Sequence, residues 1–273
     1  MTDASRPIGM FDSGFGGLTV ARATIDLLPE EDLIYLGDTG RYPYGARPID
    51  EVRRFALEIA DYLVAVHDIK LLVVACNTAT AAALDDLRSA LPVPVVGVIE
   101  PGVRAIVERT DSERIGVIGT VGTVESGAYQ LELARLEASV AMHVCACPGF
   151  VEFVERGVTA GPQVRILAER LLAPIIAADV DSLLLGCTHY PYLARTIGDV
   201  VGPEVVLVSS ADETAFALAR LLEDEGLARP TNGSRGTTRF ISSGDVASFT
   251  RVGSRLLGPE LVDAEHWRPP NAP

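Results

Sequence analysis

The chain has 273 residues, 48% of them hydrophobic, enough to bury one or two cores of ordinary size. Its formal charge of −14, with a pI near 4.7, repels phosphate backbones, so direct nucleic-acid binding is not expected. The opening MTDASRPIG lacks a secretory signal, no apolar run is long enough to span a membrane, and four cysteines are too few for a disulfide scaffold, so reduced thiols in a cytoplasmic protein are expected.

Along the chain, short apolar runs alternate with longer amphipathic stretches. Strands are predicted at 6–11, 32–36, 71–75, 94–98, 114–118, 140–145, 182–185 and 205–208. Helical spacing occupies 17–28, 48–66, 78–90, 126–138 and 163–178. Strands that are continuously apolar and separated by helices imply parallel sheets covered on both faces, the α/β class. The first strand is expected to begin near Ile8, and little room for an N-terminal regulatory extension is expected. After residue 208 come a helical stretch (211–226), a Gly/Thr/Asn/Pro-rich loop, a strand near RFISSG and a last helix, expected to pack back on one part of the molecule. The final HWRPPNAP is expected to be disordered.

The chain also echoes itself. IGMFDSG (8–14) is matched by IGVIGTVG (115–122), and VVACNTA (73–79) by LLLGCTHY (183–190), in the same order and at similar separation. Two similar α/β lobes are expected.

Ligands of open α/β sheets bind at the carboxyl ends of strands. Cys76 and Cys187 both fall there, one per repeat, each followed by hydroxyl or amide residues: Asn77 and Thr78, then Thr188 and His189. At a helix N-terminus a thiol is expected to have a lowered pKa. Buried inert cysteines are commoner, but a matched pair points to chemistry. Inverting a stereocentre needs a base on one face of a carbon and an acid on the other, and two thiols from two lobes supply both. Donors around a carboxylate would carry the developing charge: Ser13 and the backbone of the 12–17 glycine loop, with Thr120 and Thr123 in the equivalent place of the second repeat. That loop also reads as a plain tight turn. Asp12 suits an ammonium group or an oriented base. His189 is placed to orient Cys187, or to serve a structural role. Tyr42-Pro43-Tyr44-Gly45 reads equally as a loop over a cleft or a surface turn.

Cofactor chemistry finds little support. Lys70 is the only lysine, and its place before LLVVAC reads as a solvated strand end, so pyridoxal phosphate is not expected. His143, Cys145 and Cys147 alternate on one strand and share one face, but no second ligand cluster accompanies them, so no metal site is expected.

Six blocks carry a resemblance over essentially the whole chain: FDSGFGGLTV (11–20), LGDTGRYPYG (36–45), VVACNTATA (73–81), GVIEPG (97–102), GTVGTVESGAY (119–129) and LLLGCTHYPYL (183–193). The sequence resembles the glutamate racemases of the aspartate/glutamate racemase superfamily. The resemblance implies no cofactor, no metal, and an active site in the cleft between two lobes, residues 1–98 with 209–273 and residues 99–208. It implies Cys76 and Cys187 as catalytic thiols, assisted by Asp12 and His189. Substrate contacts would come from Ser13, Tyr44, Gly45, Asn77, Thr78, Thr120, Thr123 and Thr188. A supporting glutamate follows the Cys-Pro motif, where Glu155 fits better than Glu152. The implied role is supply of D-glutamate for bacterial peptidoglycan, by a homodimer; some relatives also bind DNA gyrase, which nothing in these residues shows. Rival readings are an aspartate or broad-specificity racemase, a Cys187/His189 hydrolase that does not need Cys76, and a non-catalytic regulator.

Overall fold

The computed structural model describes residues 3–230 and 233–270. The first half runs β1 (Ile8–Asp12), α1 (Leu18–Leu27), β2 (Leu33–Gly37), α2 (Ile49–His67), β3 (Leu71–Val74), α3 (Asn77–Ala90), β4 (Val95–Gly97) and α4 (Ile99–Arg109). Then come β5 (Arg114–Gly119), α5 (Val121–Glu125), α6 (Ala128–Arg135), β6 (Ala141–Ala146), α7 (Phe150–Glu155), α8 (Pro162–Ala177) and β7 (Ser182–Gly186). A short 3₁₀ turn (Tyr190–Leu193) leads to α9 (Ala194–Val201), β8 (Val206–Ser209), α10 (Ser210–Asp224), β9 (Thr238–Ser242), α11 (Val246–Leu257) and β10 (Glu265–His266). The predicted strands and helices all appear, with ends shifted by a few residues.

Two parallel sheets organise these elements. One has the order β10-β9-β2-β1-β3-β4, the other β6-β5-β7-β8. Ignoring the tail strands, the orders are the same: the second sheet repeats 2-1-3-4 as 6-5-7-8. The sequence echo therefore corresponds to a repeated topology. In each copy the chain leaves the central strand on one side and returns on the other. That reversal opens a crevice between β1 and β3, and again between β5 and β7.

The continuous apolar strands are explained by cover on both faces. Phe11, Leu72 and Val74 pack under Val52, Phe55 and Ile59 of α2. Met10, Leu71 and Val73, alternating with them, pack with Leu18 of α1 and Leu218 of α10. In the second sheet, Ile118 and Leu183 join Ala168 and Leu172 of α8, whereas Ile115 and Val117 join Val103 and Ile106 of α4.

Two expectations fail here. Lys70 is not a solvated strand end: it is fully buried, and its Nζ meets Glu31 and donates to the carbonyls of Ala4 (2.9 Å) and Leu227 (2.8 Å). A buried ammonium persists only with such partners, and these lie too far off in sequence for local pattern to show them. Nor is HWRPPNAP disordered as a whole. His266 pairs with Ser242, and Trp267 donates its backbone N–H to Ser242 O and stacks on Tyr62 at 5.1 Å. Residues 271–273 lie outside the described residues.

Candidate active site

The site is built from the two reversal points. Phe11 lies beside Val74 in register, which sets Asp12 and Ser13 next to the Ala75-Cys76 exit of β3. Gly119 lies beside Gly186, which sets Thr120 next to Cys187. Both thiols line a single cavity of about 100 Å³ between the sheets. That is well below the roughly 300–1,000 Å³ of drug-sized sites, so the void suits a small ligand. Ser13, Tyr44, Gly45, Asn77, Thr78, Thr120, Thr188 and His189 share its wall. Asp12, Thr123 and Glu155 do not; they stand in the layer behind it.

Cys76 caps α3. Its Sγ accepts the N–H of Ala79 at 3.4 Å, the geometry expected of a helix-start thiol. The expected low pKa does not follow. Burial, reinforced by the Asp12 carboxyl, pushes Cys76 up to about 12 despite the hydrogen bonds from Ala79 and Ser13. Desolvation outweighs the helix terminus, and Cys76 rests as a thiol. Burial also raises Asp12, against the pull of His189 and of backbone N–H groups such as that of Gly14 at 3.0 Å.

Cys187 has a different setting. It precedes a 3₁₀ turn rather than an α-helix, and its carbonyl accepts from Tyr190 N at 2.9 Å. Its Sγ lies 3.9 Å from His189 Nδ1, and His189 Nε2 lies 3.3 Å from Glu155 Oε1. Burial disfavours a charged imidazole, yet hydrogen bonds to Cys187 and then Glu155 overcome it and raise His189 to about 10. At neutral pH the ring is an imidazolium held between a carboxylate and a sulfur. Glu155, not Glu152, makes this contact; Glu152 lines the cavity instead.

Hydroxyl and amide groups join the two halves around the thiols. Thr78, Thr120 and Thr123 form a triangle of Oγ1 atoms at 2.9–3.1 Å, with the buried Thr123 locking the other two from behind. Gly45 O accepts from Gly122 N at 3.0 Å, and a Cβ on Gly45 would come within 2.7 Å of Thr120 Cβ, so glycine is required for the close approach. Tyr44 faces the cavity, but its hydroxyl is spent on Asp38. Only its ring and main chain remain for a ligand.

Three further residues form or support the wall: Cys147, read from sequence only as part of a ligand-like spacing; Tyr42, read only as part of a loop; and Tyr129, not singled out. Cys147 lies past the end of β6 and turns into the cavity, while His143 is exposed and the Cys145 thiol lies 3.2 Å from Leu171 O. These three do not form a ligand set. Tyr42 lines the cavity with its ring 6.3 Å from that of His189. Tyr129 contacts Asn77 from below. An aromatic residue placed as Tyr129 is indistinguishable from core in a single sequence, and nothing local marks it.

A repeated doubly wound sheet with one thiol at each reversal point and one small cavity between them defines a two-lobed α/β enzyme acting on a small polar molecule. Residues 18–217 match the profile described as Asp/Glu/Hydantoin racemase. The chain is 54% identical to glutamate racemase of Parafrankia sp., over 94% of this chain and 92% of that protein. Its structure superposes on glutamate racemase isoform RacE1 of Bacillus anthracis with a TM-score of 0.90 at 41% identity, covering 96% and 97% of the two chains. It also superposes on glutamate racemase of Francisella tularensis in complex with D-glutamate, with a TM-score of 0.90 at 32% identity over 98% and 100%. The chain belongs to the Asp/Glu/Hydantoin racemase family, and it is an isomerase.

Proposed function

We propose that the protein interconverts L- and D-glutamate without a cofactor, Cys76 and Cys187 acting as the acid and base on opposite faces of Cα. The reading is carried by one observation: two thiols from the reversal points of separate sheets share one small cavity. Relatives named glutamate racemase, matching over nearly their full length, support glutamate over aspartate.

The two thiols start unequal. Cys76 holds its proton, while Cys187 sits beside the His189 imidazolium, an electrostatic partner for a negatively charged sulfur. In one direction the Cys187 thiolate takes the Cα proton as Cys76 delivers its own to the opposite face. The reverse turnover exchanges the roles, and each turnover leaves one thiolate and one thiol. Ser13, Asn77, Thr78 and Thr188 supply donors for the carboxylates, whose charge grows as Cα is deprotonated. Asp12 and Glu155 act through Cys76 and His189. The product serves bacterial peptidoglycan synthesis. Among the described residues no helix is long and apolar enough to cross a membrane; a cytoplasmic homodimer with lobes 1–98 plus 209–273 and 99–208 completes the proposal, and sedimentation checks the dimer.

The decisive experiment is circular dichroism of purified protein with L- or D-glutamate and no added cofactor. Loss of optical activity is expected from either side, and in D₂O the product enantiomer carries deuterium at Cα. Inertness toward glutamate with turnover of aspartate would transfer the activity to aspartate; a covalent acyl intermediate would favour the hydrolase.

A further inference from the structure

Asn77 presents an imbalance. It follows Cys76, is almost fully buried, and lines the cavity, yet its Nδ2 has no hydrogen-bond partner. A buried amide N–H₂ left unpaired costs free energy unless a ligand completes it. Its other end is held. The Tyr129 hydroxyl lies 2.8 Å from Asn77 Oδ1 and 3.1 Å from the carbonyl of Gly186, the residue before Cys187.

Tyr129 belongs to α6, beside the second sheet, whereas Asn77 starts α3, beside the first. Its ring is fully buried with Ile115, Val117 and Leu184. Burial keeps the phenol protonated. There is no slack around the hydroxyl: a Cβ on Gly186 would come within 2.3 Å of it.

We infer that Tyr129 is a positioning residue for the racemase reaction: it fixes the Asn77 amide so that Nδ2 faces the ligand as a carboxylate donor, and it keys that donor to the strand end carrying Cys187. The inference rests on the proposed glutamate reaction. The phenol's single proton is nearer Oδ1 (2.8 Å) than the Gly186 carbonyl (3.1 Å), and donation to Oδ1 holds the amide with its N–H₂ turned inward. Without that hydroxyl the amide is free to turn, and half of its orientations place an oxygen against the substrate's negative charge. Tyr129 thereby acts through Asn77 across the junction of the two sheets, without touching substrate.

The test is a double-mutant cycle with Tyr129→Phe, Asn77→Ala and the pair, followed by kcat/KM for glutamate. Tyr129→Phe is expected to lose roughly tenfold, the worth of one buried hydrogen bond, mainly through KM. Asn77→Ala is expected to lose more, and the double variant to be no worse than Asn77→Ala alone within about twofold. Multiplying losses would make Tyr129 a merely structural residue and overturn the inference, as would an unchanged Tyr129→Phe enzyme. A second reading leaves Tyr129 intact. In ¹⁵N-labelled wild type, the side-chain amide signal of Asn77, assigned by its loss in Asn77→Ala, is expected to shift when D-glutamate is added. A signal unmoved at saturation would place Nδ2 away from the ligand and overturn the inference too. Wild-type protein inert toward glutamate would instead sink the parent reading, a separate outcome.

Discussion

At the scale of single residues the site is asymmetric although its two halves share a topology. Cys76 is deprived of solvent and carries a high pKa, while Cys187 is paired with a charged imidazole. In the proposed scheme each thiol is needed in each direction, so Cys76→Ser and Cys187→Ser are each expected to lower racemisation on the order of 10³-fold or more. Elimination of HCl from one enantiomer of 3-chloroglutamate needs a single base and is expected to persist in one of the two variants. Full racemase activity in either variant would defeat the two-thiol scheme. The charge on His189 depends on Glu155. Glu155→Gln removes a hydrogen bond to the charged ring, so the alkaline limb of kcat/KM, placed near the His189 value of about 10, is expected to move to lower pH. The sign for stability follows from the same shift. His189 is raised above its unfolded value, so its contribution is complete below about 6.5 and is lost as pH climbs toward about 10. Cys76 behaves alike between about 9 and about 12. Thermal denaturation at stepped pH should therefore show a Tm that falls on the alkaline side, with the first part of the fall flattened in His189→Asn.

At the scale of elements, the strands were legible because burial on both faces forces unbroken apolar runs, and Cys76 and Cys187 were legible because each closes such a run. Helix α4 was passed over: Pro101 and Gly102 near its start look like a turn, although proline is well tolerated in a first turn. The direction of the Cys76 pKa was misjudged for a physical reason. The helix terminus is local and visible in sequence, whereas burial comes from first-lobe residues distant along the chain, such as Ile241 and Trp267, and the Asp12 carboxyl adds charge repulsion. The loop between β1 and α1 offers a test of how tightly the lobes fit. A Cβ on Gly16 would lie 2.3 Å from both His189 Nδ1 and Thr188 Oγ1. Gly16→Ala must displace the histidine that serves Cys187, and a misplacement of that order is expected to cost roughly 100-fold in kcat/KM. Activity within a fewfold of wild type would show that the junction yields.

At the scale of the whole molecule, the first sheet is closed by chain from far away. Lys70, entering β3, draws together Ala4, Glu31 and Leu227, and Glu31 also accepts from Arg229 N at 2.8 Å. Replacing Lys70 by Met strands a buried carboxylate and is expected to cost about 3 kcal/mol or more, read from urea unfolding. None of this was visible along the sequence, since the partners belong to the two ends of the chain. The tail has a further effect on the order in which the molecule is made. Strand β2 pairs with β1 on one side and with β9 on the other. On the ribosome its outer edge therefore waits, with unpaired N–H and C=O groups, until the polypeptide is nearly complete. A nascent chain stalled before Thr238 exposes a sticky strand edge of the kind that seeds aggregation. Premature termination there should yield insoluble material, rather than a smaller functional lobe.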